Sequence, residues 1–351
     1  IMYKGYIEGF YARRLAKDAF KNLKVPITHY FYGPKEDMFL RYHWKEIDKS
    51  LKKRELPKKI KQVYCISPTS EVVLDIKNNL RILRKKIAHA IEKAGFDEIG
   101  IFFDDIDVTN FGREAKDKEL GKLHAEILNE VSEFLPKNKN IWFCPSIYNT
   151  SLSKGILDGG YLEGVKEILF KDIIILWTGD QVISETINSS SLKKIKSFFL
   201  NPIAIWDNFY ANDYCPNRLF LGPLQKRNLD KSIVGHFING TGHKETDKFL
   251  LNYLFKKNQK IPFLPKELIP IFSNPFKKIS ISEERKVLNI SDKSVRYIFE
   301  RTESDLLLEW KPYIFSALND IELSRLKTKK EVEGFLERRY SPLFKKGLNK
   351  N

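Results

Sequence analysis

Eight short apolar runs, separated by stretches with helical periodicity, predict an α/β fold: a TIM-like (β/α)8 barrel followed by a helical C-terminal region. The runs are continuous instead of alternating, as strands covered on both faces of a parallel sheet should be. Their spacing leaves room for a crossover helix, and together they fill the roughly 250 residues usual for such a barrel. An open doubly wound sheet is the alternative, but no Gly-x-Gly-x-x-Gly follows the first strand.

In chain order the strands are GYIEGF (Gly5 to Phe10), ITHYFYG (Ile27 to Gly33), QVYCIS (Gln62 to Ser67) and IGIFFDD (Ile99 to Asp105). IWFCPS (Ile141 to Ser146), IIILW (Ile173 to Trp177), IAIWD (Ile203 to Asp207) and SIVGHFI (Ser232 to Ile238) complete the set. Between them, Glu71 to Ala94 reads as a helix ending at Gly95, a good C-cap residue. In ELGKLHAEILNEVSEFL, Leu120, Ile127, Leu128, Val131, Phe134 and Leu135 recur at helical spacing before Pro136. Ser191 is placed to cap the short helix LKKIKSFFL. No strand leads into the Gly-rich LDGGYLEG, which reads as a loop. Residues 1–245 are assigned to a catalytic barrel and 246–351 to the helical region. There FLLNYLFKKNQ, KSVRYIFERTESDLLLEW and KEVEGFLERR read as helices, with breaks at Pro262, Pro265, Pro270 and Pro275.

A hydrophobic content of 42% with 13% aromatic residues supports a sizeable core in a chain of 351 residues. Cys65, Cys144 and Cys215 are odd in number and widely spaced, which argues against a disulfide framework or a zinc cluster. No apolar run approaches the roughly 18 residues of a membrane span. IMYKGYIEGFY does not read as a signal peptide, so the expectation is a cytoplasmic location with no membrane partner. The net charge of +16 invites a nucleic-acid reading. Its clusters, LKKRELPKKIK, RILRKK and FKKGLNKN, are scattered, so solvated helix faces are preferred and nucleic acid is not an expected partner.

The chemistry should lie at the C-terminal ends of the strands, and there the unusual residues collect: Glu8-Gly9, Gly33-Pro34-Lys35, Asp104-Asp105, Cys144-Pro145 with Tyr148, Trp177-Thr178-Gly179, Trp206-Asp207-Asn208 and Asn239. Polar and aromatic groups sharing one rim suit a sugar, whose C–H face needs an aromatic wall and whose hydroxyls need fixed partners. FFDDIDV (Phe102 to Val108) sets three acids within four residues. Crowded carboxylates push one pKa up and suggest glycoside hydrolysis. In most such enzymes, however, the two acids flank the sugar roughly 5 to 9 Å apart. Adjacent acids suit the exceptions, in which the substrate's own 2-acetamido group is the nucleophile.

IEGFY, YFYGPKED, FFDDIDV, FCPSIY, LWTGDQVIS, IWDNFYANDY and RLFLGPL resemble, in order, the motifs of glycoside hydrolase family 84, the β-N-acetylglucosaminidases that include protein O-GlcNAcase. The resemblance spans residues 3–245 and implies a TIM-like barrel. It implies a retaining exo-β-N-acetylglucosaminidase that forms an oxazoline and needs no cofactor and no metal. Asp104 would hold the acetamido N–H and stabilise the intermediate, and Asp105 would be general acid and then general base. Tyr148 would support the acetamido oxygen or the acid, and Asn208 would orient this network. Cys144, Thr178, Val182 and Trp206 would enclose the acetyl methyl. Gly9, Lys35, Asp213 and Asn239 would bind the sugar hydroxyls, with Asp213 at positions 4 and 6. The implied partner is a β-GlcNAc-bearing protein or glycan, and the C-terminal helices are a candidate homodimer surface.

Two departures stand beside the pocket: EGFYARRL where the family usually has a Pro-Trp after EGFYG, and SPTSEV where it has Ser-Pro-Gly-Leu-Asp. They bear on the aglycone more than on the chemistry. Asp107 reads as a solvated or capping residue. Asp105-Ile106-Asp107 also spells the Asp-x-Asp of metal-dependent glycosyltransferases, so that activity and a non-catalytic glycan-binding barrel are the alternatives. The six histidines show no ligand spacing, and His124 reads as structural.

Overall fold

The computed structural model describes residues 2–104, 114–154, 160–224, 227–229, 231–256, 268–277, 279, 291–301, 303–324 and 326–341. Eight parallel strands close into a barrel. They are β1 (Tyr3–Glu8), β2 (His29–Tyr32), β3 (Lys61–Ile66), β4 (Glu98–Phe102), β5 (Ile141–Cys144), β6 (Ile174–Trp177), β8 (Ile203–Asp207) and β10 (Ile233–Asn239). The two-residue strands β7 (Ile187–Asn188) and β9 (Arg227–Asn228) pair separately above the rim. Each of the eight predicted runs is a barrel strand. β1 pairs with β10, Tyr3 opposite Gly235 and Ile7 opposite Asn239, which closes the ring. Ile7, Phe31, Val63, Cys65, Phe102, Trp142, Leu176 and Phe237 fill the interior. A separate, larger apolar layer lies between the strands and their outer cover.

The crossovers between β3 and β8 are helical: α1 (Ile76–Ala88), α2 (Glu114–Phe134), α3 (Gly160–Val165) and α4 (Ser189–Phe198). Asp75 caps α1 by accepting from Asn78 N (3.3 Å), and a π-turn over His89–Lys93 carries the chain to Gly95 at φ +81°. The first two crossovers, and the one from β8 to β10 among its described residues, depart from the strict alternation of strand and helix. Between β1 and β2 the chain makes isolated i→i+3 turns, such as Ala19 N to Ala16 O and Leu23 N to Phe20 O (both 3.0 Å). These turns seat Leu15, Phe20 and Leu23 on the barrel before Pro26 forces an extended approach to β2.

Two further expectations are corrected. Residues 160–164 of the Gly-rich stretch belong to α3 instead of a loop, and residues 157–159 lie outside the described residues. A Cβ at Gly164 would stand 2.1 Å from Lys118 O, and one at Gly121 2.1 Å from Tyr161 O, so the glycines serve the crossing of α2 and α3. The helix LKKIKSFFL begins two residues earlier than Ser191, and Asn188 Oδ1 accepts from Ser190 N (3.0 Å) at its start.

After β10 come α5 (Lys244–Phe255), α6 (Ile269–Phe272), α7 (Asp292–Glu300), α8 (Asp305–Ser324) and α9 (Lys329–Tyr340). Pro270 stands in the first turn of α6. KSVRYIFERTESDLLLEW, expected as one helix, is split between α7 and α8, because Arg301 leaves helical geometry at the end of α7. A capping box joins Thr328 and Glu331 at the start of α9. Among the described residues no helix is long and apolar enough to cross a membrane.

Candidate active site

The strand ends meet in a cavity of about 520 Å³, within the range of small-molecule sites. Its described lining includes Gly9, Lys35, Asp104, Cys144, Tyr148, Thr178, Val182, Trp206, Asn208, Asp213 and Asn239. All eleven were singled out from the sequence. The twelfth, Asp105, lies outside the described residues, as do Asp107 and with it the Asp-x-Asp triplet. Tyr11, Ile183, Ala211 and Tyr214 also line the cavity and were missed. Each belongs to a motif already quoted, as the last residue of IEGFY or within LWTGDQVIS and IWDNFYANDY. The signal lay in those stretches, but only the fold shows which of their apolar members turn inward.

Buried charges behind the strand ends hold the cavity residues in place. Glu8, at the end of β1, accepts twice from Arg54 Nη2 (2.7 and 2.8 Å), from Leu15 N (3.1 Å) and from the Tyr30 hydroxyl. Gly9 follows directly. Asp37 accepts from Tyr32 Oη (2.7 Å) and Phe39 N (3.1 Å) and fixes the loop that carries Lys35. Asp207, at the end of β8, receives Arg227 Nε (2.7 Å) and His236 Nε2 (3.0 Å). Burial opposes its ionisation, but Arg227 and His236 outweigh burial and hold the carboxyl well below the usual range. Trp206 and Asn208 on either side are thereby fixed.

In the cavity itself Lys35 Nζ donates to Asp104 Oδ2 at 2.9 Å, with both side chains nearly buried. An ion pair removed from water this far keeps its geometry, since separating it strands a charge. A second chain of bonds crosses the opposite wall. Gly9 N donates to Asn239 Oδ1 (3.2 Å), Asn239 Nδ2 to Asn208 Oδ1 (3.1 Å), and Asn208 Nδ2 to Val182 O (2.9 Å). Each amide has both ends engaged, so their orientation is fixed. Asp213 accepts from Tyr11 N and Tyr214 N (both 3.0 Å). The indole of Trp206 packs against Phe102 with ring centroids 5.3 Å apart. Its buried Nε1 has no partner among the described residues, so a ligand oxygen could receive it. The arrangement offers an anchored carboxylate, an apolar patch of Trp206, Cys144 and Val182, and several fixed polar groups.

His124 serves structure, as expected. His124 is buried, its Nδ1 2.9 Å from Tyr161 Oη and its ring stacked on Phe103, and burial lowers its pKa to about 3. Among the described residues no group of three or more His, Cys, Asp or Glu side chains could hold a metal ion.

The comparisons with known proteins agree with this architecture. A family model described as beta-N-acetylglucosaminidase matches residues 4–255. Protein O-GlcNAcase of Rattus norvegicus and that of Mus musculus are each 31% identical over 244 residues, which cover 64% of this chain and 26% of either relative. The chain therefore spans about a quarter of the length of these curated relatives. The solved structure of CpGH84B superposes with a TM-score of 0.61 at 19% identity, covering 96% of this chain and 65% of that one, a likeness of fold. With a family model matched across residues 4–255 and six of the seven quoted motifs supplying described residues to the cavity, the chain belongs to the β-N-acetylglucosaminidase family, glycoside hydrolase family 84.

Proposed function

We propose that this chain is a retaining exo-β-N-acetylglucosaminidase whose nucleophile is the substrate's own 2-acetamido group. The observation that carries the reading is the Lys35–Asp104 pair at the end of β4, in the same cavity as Trp206, Cys144 and Val182. Asp104, held by Lys35, accepts the acetamido N–H and raises the negative charge on the carbonyl oxygen. That oxygen attacks C1, the glycosidic bond breaks, and an oxazoline forms with inversion. Asp105 gives its proton to the leaving oxygen, then takes one from the water that reopens the ring with a second inversion. Tyr148 and Asn208 orient the acetamido group. Cys144, Thr178, Val182 and Trp206 enclose its methyl. Gly9, Lys35, Asp213 and Asn239 hold the ring hydroxyls.

The names of the relatives support O-linked β-GlcNAc on proteins as one substrate, with glycans bearing terminal β-GlcNAc as the other class. The division of labour between a barrel over residues 1–245 and helices over 246–351, a cytoplasmic site of action and pairing of two copies through those helices belong to the same proposal.

An aryl N-acetyl-β-glucosaminide, assayed with and without a thiazoline mimic of the oxazoline, tests it. Turnover blocked competitively by the thiazoline is expected. Binding without turnover would point instead to a glycan-binding barrel, and activity abolished by a chelator to the metal-dependent transferase. Asp104→Asn should lower kcat by about 10² or more on all substrates, because formation of the intermediate is impaired. Asp105→Asn should spare aryl glycosides with good leaving groups and fail on those with poor ones. A uniform loss for both variants would contradict the assigned roles.

A further inference from the structure

Tyr313 belongs to α8, yet its hydroxyl ends among three loops at the rim of the barrel. Arg13 Nη2, on the loop after β1, donates to it (3.3 Å), and so does Asn212 Nδ2, on the loop after β8 (3.2 Å). The third neighbour is His243 Nε2 (2.7 Å), just beyond β10. Burial and then the nearby Arg13 charge lower the His243 pKa to about 4, so the neutral ring accepts and the hydroxyl donates. One hydroxyl thus uses its proton and both lone pairs on a side chain only 5% exposed. Arg13 closes the ring by donating to Asn212 Oδ1 (2.8 Å) and Thr241 O (2.6 Å).

Each loop carries a cavity residue beside its latch. Asn212 stands between Ala211 and Asp213. Arg13 follows Tyr11, whose N–H donates to Asp213, and Thr241 lies two residues past Asn239. The helix that presents Tyr313 is itself anchored. The Glu309 carboxylate accepts from Glu245 N (2.9 Å), Thr246 N (2.8 Å) and Thr246 Oγ1 (2.9 Å), which caps α5 from outside. Trp310 Nε1 donates to Thr246 Oγ1 (3.1 Å).

We propose that Tyr313 is a positioning residue for the sugar site, its hydroxyl fixing the separation of the loops that present Asp213 and Asn239. The inference rests on reading the cavity as a β-N-acetylglucosaminide site. It gives the helical region a part in substrate affinity without contact to the reacting atoms. Asp213 and Asn239 hold the sugar equally in the bound and transition states, so a loss here appears in KM and leaves kcat in place.

Tyr313→Phe keeps the ring and deprives Arg13 and Asn212 of an acceptor. The full-length variant and wild type are compared on 4-nitrophenyl N-acetyl-β-glucosaminide and its 4-deoxy analogue, well below the melting temperature. KM for the first should rise about 5- to 10-fold with kcat within about twofold, in keeping with one or two lost hydrogen bonds. The rise should largely vanish for the analogue that lacks the hydroxyl assigned to Asp213, and calorimetric affinity for N-acetylglucosamine should fall by the same factor as KM rises. An unchanged KM, an equal rise on both substrates, or a fall in kcat alone that tracks the folded fraction overturns the assignment. A wild-type chain that neither cleaves the glycoside nor binds the sugar sinks the reading of the site and this inference with it. An active wild type with an unaltered variant overturns the inference alone.

Discussion

Gly9 shows how little slack the cavity wall has. A Cβ built there would stand 2.8 Å from the Trp206 ring and 3.3 Å from Asn239 Oδ1, both part of the lining. Overpacking of this kind costs about 1–3 kcal/mol. The indole is held by Phe102 behind it, so its easiest retreat is into the space the sugar would occupy. Gly9→Ala should therefore weaken binding of N-acetylglucosamine about 10-fold or more by calorimetry, with the melting temperature lowered by only a few degrees. Unchanged affinity would mean that the wall gives way elsewhere. At this scale much of the site was legible. Asp104, Tyr148, Trp206 and Asn208 lie at or just beyond strand ends, and a closed parallel barrel brings all its strand ends to one rim. Tyr11, Ala211 and Tyr214 were not legible, because an aromatic or small residue in a loop carries no chemical mark. Which of them turn inward depends on bonds such as Tyr11 N to Asp213 that join residues far apart in sequence.

Strands were easier to read than helices because continuous apolar runs of four to seven residues admit few other interpretations. α3 hid behind its glycines, whose purpose lies in the partner helix. The turns before β2 carry apolar residues at spacings that suit a helix equally well. At the start of α5, the pattern gave no hint that Asp247 would be fully buried. It accepts from Tyr6 Oη (2.5 Å), Thr241 N and Oγ1 (both 2.8 Å) and Gly242 N (3.0 Å). Burial nonetheless raises its pKa from 3.8 to about 6, the hydrogen bonds opposing that shift only in part. A carboxyl raised in the folded state binds its proton more tightly there than in the unfolded chain. Its contribution to stability is full below about pH 4 and is lost as pH rises through 6. Between pH 4 and pH 7, urea unfolding should show wild type losing about 2 kcal/mol relative to Asp247→Asn. A difference that stays flat or grows with pH would contradict this account.

Across the whole molecule, the helical region and the barrel are joined by buried polar bonds as well as by apolar contact. Arg218, on the loop after β8, is fully buried. Its guanidinium donates to Lys277 O (3.0 Å), Tyr340 O (2.8 Å), Asn274 O (3.0 Å) and Ser273 Oγ (2.7 Å). Its own carbonyl accepts from Asn212 Nδ2 (2.7 Å), one step from the Tyr313 latch. A single side chain therefore ties the barrel to the segment after α6 and to the end of α9. RLFLGPL was quoted as a motif, yet the pattern alone could not reveal this role. The oxygens that Arg218 satisfies lie about 60 and 120 residues further on, and all but the Ser273 hydroxyl belong to carbonyls that any sequence would supply. Arg218→Met keeps much of the length and apolar bulk but takes the arginine donor from Lys277 O, Tyr340 O and Ser273 Oγ, while Asn274 O keeps the Lys277 N–H (3.2 Å). Buried groups left unpaired cost about 1–3 kcal/mol each before relaxation, so a loss of at least about 3 kcal/mol is expected. The loss should be local, because the barrel keeps its own closed ladder while α9 loses its anchor. Limited proteolysis read by mass spectrometry should cut first within α9, residues 329–340, under conditions in which wild type stays protected there. The same variant should bind N-acetylglucosamine more weakly through Asn212. Protection of α9 equal to that of wild type would show that apolar packing around Tyr340 holds the two parts together without the arginine.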